Sequence, residues 1–290
     1  MQYRSNNILT LVNPSEEGKL FLNQIIFFQQ SLDMRIFFYH IVGRPSLFEK
    51  IFHARRTKDL KTDALVSLRC FINNLVPPAA LNNMTFRVKT GHPLPILLRQ
   101  SKIGGYEFIL IEKNKPGSTL SKDEINRLVS RAFCPVMLCN RNHQLKKIKE
   151  IIIPVDILHS TKKKLLWATY FAKKYNARVI IVSALAFNIE EKKSLAWRNS
   201  QKLKHLLTQR GIDCELEVLK AINQEKQQVI LDFINKRNPG MVIIRTHQDS
   251  SKTGTYIGKF VSDLIQGCSM PVFTVNRTKH PLPADFILHQ

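Results

Sequence analysis

The sequence predicts an α/β protein made of two tandem doubly wound domains, each a five-stranded parallel sheet with helices on both faces. Short apolar runs alternate with longer helical patterns along the whole chain, which is typical of strand–helix–strand units. The predicted strands are continuously apolar rather than alternating, as in parallel sheets that are covered on both faces. An internal repeat shows that this plan occurs twice.

The repeat relates the two halves of the chain. Apolar runs that end at Asn13 and Asp156 lie 143 residues apart, and runs that contain Pro135 and Pro271 lie 136 residues apart. The order of the motifs is kept and the offset drifts little, so the repeat is a duplicated domain. It is too long for a solenoid repeat, since those have periods of only ~20–50 residues. We expect domains over 1–142 and 148–277, followed by a C-terminal tail, 278–290.

The elements follow from the same patterns. Strands are predicted in the first half at 7–12, 34–42, 83–89, 106–112 and 135–139, and in the second half at 150–156, 177–183, 213–219, 240–245 and 270–275. Helices are predicted between the second-half strands at 161–175, 190–210, 224–237 and 256–266. Leu203, Leu206 and Leu207 have the spacing of one buried helix face. The helical region 47–75 of the first half is longer than its counterpart, which accounts for the shrinking offset.

Composition limits the function classes. No apolar run approaches the ~18 residues of a membrane span, and the first residues lack an apolar signal core, so we expect a cytoplasmic protein with no membrane partner. The five cysteines form no Cys-x-x-Cys pair and are expected to be reduced structural thiols. The net charge of +22 is shared evenly, +10 in residues 1–145 and +12 in 146–290. Such a surface attracts polyanions non-specifically.

Ligands of open parallel sheets bind beyond the carboxyl ends of the strands, where the strand order reverses. Asp156 ends the first strand of the second half, and a polar loop with Gly254 and Gly258 follows the fourth. Asp156 is equally well interpreted as a helix N-cap. Gly254 to Lys259 is similar to a phosphate-binding P-loop, but it is one residue too short and lacks the Ser/Thr that would hold magnesium.

At these positions the chain resembles the universal stress protein family in its tandem form, over about 7–140 and 150–277. Asp156 matches the acid that ends the family's first strand, and Cys134-Pro135-Val136 and Met270-Pro271-Val272 match the start of its last strand. The resemblance implies a Rossmann-like, adenine nucleotide alpha hydrolase-like fold. It also implies that the two halves pack as an intramolecular pseudo-dimer, with a homodimer as a further option.

The family's glycine loop is incomplete here. In the second half Arg245 and Gln248 stand where its first two glycines would be, Gly258 is the third, and Lys259 replaces the hydroxyl residue. In the first half, Asn13 replaces the strand-end Asp, and Lys122-Asp123 replaces the final Gly-Ser. No cofactor is therefore required, and any ATP or ADP is expected to bind weakly and only in the second half. The resemblance gives these site residues: Pro154, Val155, Asp156, Thr246, His247, Gly254, Gly258 and Lys259.

The sequence favours a non-catalytic stress-response protein that acts by binding. The alternatives are an ATP-binding signalling protein and a basic nucleic-acid-binding protein. An ATP pyrophosphatase or nucleotidyltransferase would need strand-end motifs that this chain lacks. We predict no catalytic residue, because His247 has no identified nucleophile or partner. We also predict no metal site, because the nine histidines show no metal-ligand spacing.

Overall fold

The computed structural model describes residues 6–43, 54–113, 119–143, 145–155, 162–246 and 257–276, without the side chains of 54–58 and 162–163. The chain divides into two compact units, Met1–Gln144 and Leu145–Gln290. The predicted tail, 278–290, lies outside the described residues.

The first unit alternates strands and helices. In chain order its elements are β1 (Asn7–Leu11), α1 (Glu16–Leu32), β2 (Arg35–Val42), α2 (Ala54–Asn73), α3 (Pro78–Leu81), β3 (Met84–Thr90), α4 (Pro93–Ile103), β4 (Phe108–Glu112), α5 (Lys122–Arg131) and β5 (Val136–Cys139). The strand order is β3-β2-β1-β4-β5, and each of these neighbouring pairs is parallel. The order reverses between β1 and β4.

The second unit repeats this order. Its elements are β6 (Glu150–Pro154), α6 (Lys162–Tyr175), β7 (Arg178–Ala186), α7 (Leu195–Thr208), β8 (Cys214–Ala221), α8 (Lys226–Arg237), β9 (Met241–Arg245), α9 (Lys259–Gly267) and β10 (Val272–Val275). The order β8-β7-β6-β9-β10 is parallel throughout. Its reversal point lies between β6 and β9.

The predicted fold class is confirmed, and every predicted strand is present with its ends shifted by up to three residues. The largest helix shift is at α7, which begins at Leu195 rather than at residue 190. The side chain of Ser194 caps this helix by accepting a hydrogen bond from the Trp197 N–H at 3.0 Å. Of the predicted first-half helix at 47–75, residues 54–73 are helical, and 47–53 lie outside the described residues.

The strands of both units are apolar and buried. In β6 the residues Ile151, Ile152 and Ile153 are fully buried, as the prediction of a sheet covered on both faces requires. An aromatic cluster forms the core between α6 and β10. The Phe171 ring lies 4.9 Å from that of Phe273 and 5.6 Å from that of Trp167, centroid to centroid.

Within the described ranges, no helix is both long and apolar enough to cross a membrane.

None of the five cysteines forms a disulfide bond, and four of them are buried: Cys134, Cys139, Cys214 and Cys268. Burial raises the pKa of the Cys134 and Cys139 thiols well above their ordinary value, and that of Cys214 to about 11. Because the thiolate is the reactive form, these three groups are chemically inert at neutral pH. Their position in the core fits structural thiols.

Two phenylalanines of the second unit give a matched test of this core. Phe171 is fully buried, whereas Phe187 is 65% exposed. We expect Phe171→Ala to lower the free energy of unfolding by about 3–5 kcal/mol and Phe187→Ala by less than about 0.5 kcal/mol. Both tryptophans, Trp167 and Trp197, lie in this unit, so urea denaturation followed by tryptophan fluorescence measures it directly. Equal losses in the two variants would contradict the assigned core.

Candidate functional site

The reversal point of the second unit brings the ends of β6 and β9 together. The two strands are paired in parallel register, so Pro154, at the end of β6, and Thr246, just beyond β9, lie at the same edge of the sheet. Main-chain bonds continue past both ends: the Val155 N–H donates to the Val182 carbonyl at 2.8 Å, and the Thr246 N–H to the Val275 carbonyl at 3.1 Å. These three predicted site residues are thus held rigidly at one edge.

Two buried polar side chains lie at this edge. The Thr246 side chain is fully buried, and its hydroxyl has no hydrogen-bond partner among the described residues. Lys164 of α6 is 3% exposed, and its Nζ donates to the Pro154 carbonyl at 2.6 Å. An unpartnered buried hydroxyl typically costs about 1–3 kcal/mol, and a buried ammonium is costly unless it is paired. Such groups are common where a site is built for a polar ligand.

Helix α9 completes the candidate site. Gly258 is its N-cap residue and is buried, and the helix has no side-chain cap. The side chain of its N-cap residue thus does not occupy the first N–H groups of the helix, and groups of this kind can bind an anion. Lys259 is the first helical residue; its ammonium is exposed and lies 3.7 Å from the Glu225 carboxylate, a surface pair of little energetic weight.

Three of the predicted site residues, Asp156, His247 and Gly254, lie outside the described residues. The predicted site does not include Lys164, which lies in a run of three lysines, 162–164, of the kind that usually faces solvent. The internal repeat contained a signal that could have identified it. At the offset of 143, Lys164 corresponds to Phe21, which is 2% exposed in α1. A charge at a position that the other copy fills with a buried ring indicates an unusual residue.

The reversal point of the first unit is occupied by an ion cluster. Arg141, just beyond β5, contacts the carboxylates of Glu112, at the end of β4, and of Glu17, in α1; the second contact is 2.9 Å. The contact with Glu112 is the main reason that the pKa of Arg141 is raised. The cavity that these residues border, together with Asn13, measures about 20 Å³. That is room for about one water molecule.

Helix α5, which follows β4, differs from α9 at its start. Ser121 and Glu124 form a capping box, in which the Ser121 N–H donates to the Glu124 carboxylate at 2.9 Å and the Glu124 N–H to the Ser121 hydroxyl at 3.3 Å. Its first turn also carries Asp123. The capping box satisfies N–H groups that a phosphate would need, and the two acids repel an anion. Among the described residues of the first unit, the start of this helix therefore attracts an anion less than the start of α9 does.

Comparison with protein-family models connects this fold to a family. Residues 147–276 match the model of the universal stress protein family. This part of the chain belongs to that family. The match confirms the family that the sequence predicted, and it covers all five strands of the second unit, from β6 to β10.

Solved universal stress protein structures share the fold of the whole chain. One from Archaeoglobus fulgidus DSM 4304 matches with a TM-score of 0.71 at 14% identity, over 95% of this chain and 100% of its own. A protein of unknown function from Pseudomonas aeruginosa PAO1 matches with a TM-score of 0.62 at 15% identity, over 98% and 95%. A universal stress protein from A. fulgidus solved with dAMP matches 45% of this chain and 98% of its own, at 16% identity and a TM-score of 0.37. Comparison with curated proteins gave no match.

Metal chemistry has no visible support in the described part of the chain. No group of three or more His, Cys, Asp or Glu side chains there is arranged to hold a metal ion. What the described edge of the universal stress protein unit offers is hydrogen-bond donors and positive charge, which can hold an anionic ligand.

The ion cluster of the first unit leads to a stability prediction. Arg141→Gln leaves the largely buried carboxylate of Glu112 without its cation, near the exposed carboxylate of Glu17, so we expect the first unit to lose about 1–3 kcal/mol. Hydrogen exchange of the β4 amides, 108–112, should speed up accordingly. The double variant Arg141→Gln/Glu112→Gln removes the repulsion and should recover part of the loss. Unchanged exchange in the single variant would show that the cluster does not stabilise this edge.

Proposed function

We propose that the chain is a cytoplasmic stress-response protein that acts by binding rather than by catalysis. In this proposal it is a tandem universal stress protein whose halves pack as a pseudo-dimer. The second unit carries a weak adenine-nucleotide site, formed by Pro154, Val155, Asp156, Thr246, His247, Gly254, Gly258 and Lys259. The first unit carries none.

The observation that carries the proposal is the difference between the two strand-end helices. In the second unit α9 has the buried Gly258 as its N-cap, with no side-chain cap, and Lys259 as its first residue. In the first unit α5 starts with a capping box and two acids. A phosphate is attracted to the first arrangement and repelled by the second, because the start of a helix is positive and side-chain acids oppose it.

Weak binding is proposed because the loop between β9 and α9 departs from the family's glycine pattern. Arg245 and Gln248 stand where glycines would let the backbone approach a phosphate closely. Lys164 adds a positive charge beneath the strand end, and the Thr246 hydroxyl offers one more hydrogen bond. These groups can attract an anion. They do not replace the backbone N–H groups with which a complete glycine loop would surround it.

The absence of catalysis is proposed from the chemistry that the site would need. Enzymes that act on phosphates place a nucleophile, a base or magnesium ligands beside them. Magnesium bound at phosphates is usually held by one or two protein carboxylates. Asp156 is the one carboxylate that the family pattern puts at this edge. The described donors, Lys164, Thr246 and Lys259, bind anions but do not activate water.

Nucleotide binding can be tested at two positions that the repeat makes equivalent. Native mass spectrometry of freshly purified protein should show no stoichiometric nucleotide, and calorimetric titration with ATP should show one weak site. Asp156→Ala should reduce the affinity by about tenfold or more, the value of one charged hydrogen bond, whereas Asn13→Ala should leave it unchanged. A nucleotide retained through purification, or equal effects of the two substitutions, would overturn the weak second-unit site.

Catalysis is tested by an ATP hydrolysis assay. We expect no turnover above background in the native protein. His247→Ala and Asp156→Ala serve as controls, because a contaminating enzyme would be insensitive to both. Turnover near ~1 per second that either substitution abolishes would show that the protein is an enzyme.

A further inference from the structure

A basic groove runs along the opposite edge of the second unit, at the amino ends of β6, β7 and β8. It is separate from the candidate nucleotide site, which lies at the carboxyl ends of the strands. Its volume is about 680 Å³. The charged residues that line it are Lys147, Lys149, Lys173, Arg178, Glu150 and Asp213.

The acidic residues of the groove are already neutralised by arginines. Glu150 accepts two hydrogen bonds from Arg237, at 2.8 and 3.0 Å, and the pKa of this carboxyl is lowered chiefly by that contact. Asp213 accepts from Arg178 Nε at 2.7 Å. The lysines are different: within the described ranges, the three lysines of the groove make no ion pair, and all are exposed. They are therefore available to an external anion.

The first unit provides an internal comparison. The same backbone arrangement is present there: the Arg178 N–H donates to the Lys149 carbonyl at 2.9 Å, and the Arg35 N–H donates to the Asn6 carbonyl at 2.8 Å. At the offset of 143, Lys149 corresponds to Asn6, and Lys173 to Gln30. Both counterparts are neutral. The third lysine, Lys147, corresponds to Arg4, which is also basic and lies outside the described residues. The fold therefore forms this edge without a cation at the positions of Lys149 and Lys173.

Helix stabilisation does not explain the set of lysines. Lys173 lies in the last turn of α6, where a cation interacts favourably with the helix dipole. The last turn of α1 has no basic residue, so the equivalent helix forms without one. Lys147 and Lys149 precede a strand, where no helix dipole acts on them.

We propose that this groove binds nucleic acid through its phosphate backbone, without reading base sequence. The lysines lie on two separate chain segments that line one groove, and lysine acts on phosphate as a point charge. No aromatic side chain lines the groove, so base stacking is not used. The apolar lining residues Ala172, Ala177 and Ile212 are at most 6% exposed, so no side chain is available to insert into a bilayer.

The test compares two triple variants with the same change in net charge. Lys147→Gln/Lys149→Gln/Lys173→Gln removes the lysines of the groove. Lys192→Gln/Lys202→Gln/Lys226→Gln removes three exposed lysines elsewhere on the second unit. Binding of a labelled DNA duplex is followed by fluorescence anisotropy over a salt series. Circular dichroism of each variant checks that it is folded.

We expect the groove variant to bind at least tenfold more weakly at low salt, and the control variant to change less than twofold. The slope of log K against log salt should become shallower by about 2.7 in the groove variant, since each lost phosphate contact contributes ~0.9. Duplexes of different sequence should bind alike. Equal losses in the two variants would overturn the proposal in favour of diffuse charge. So would groove-dependent binding to anionic lipid vesicles without binding to DNA.

Discussion

The parallel pairing of the first strand with the fourth determines where each unit can bind a ligand. In unit 2 the β6–β9 pair puts Pro154 beside the chain that leaves β9 at Thr246. In unit 1 the β1–β4 pair creates the same edge. The connections that follow the two strands of this pair lead to opposite sides of the sheet. The two loops therefore separate and leave an opening between them. Burial of the strands on both faces directs the polar groups of both units to the sheet edges.

The two units use this opening in opposite ways. Unit 1 fills it with Arg141, Glu17 and Glu112, so its charges satisfy one another internally. Unit 2 keeps Lys164 buried there, bonded to the Pro154 carbonyl, and a Thr246 hydroxyl with no partner among the described residues. A protein of marginal stability retains a buried hydroxyl of this kind only where something offsets its cost. Duplication allows this division, because one copy can stabilise its opening while the other keeps it for a ligand.

The sequence predicted the fold well because its signals are local or repeated. Continuous apolar runs predicted the strands, and the repeat predicted the number of compact units. Helix starts were less predictable, since they depend on single side chains such as Ser194 and Ser121. The candidate site was predicted in part: Pro154, Val155 and Thr246 share one edge. Lys164 and the Arg141 cluster were missed, because burial of a charge and pairing between residues far apart in sequence leave no periodic pattern.

The placement of the charged residues tells more about where an anion would be attracted than the net charge does. In unit 1, acids lie where a nucleotide phosphate would bind, and neutral Asn6 and Gln30 lie at the amino edge. In unit 2, cations lie at both edges of the sheet: Lys259 at the carboxyl ends of the strands, and the lysines of the groove at the amino ends. Since both halves carry almost the same excess of positive charge, the difference lies in placement. Local fields at a groove act at contact distance, where salt screens them least. Placement rather than total charge therefore decides which edge of this protein attracts an anion.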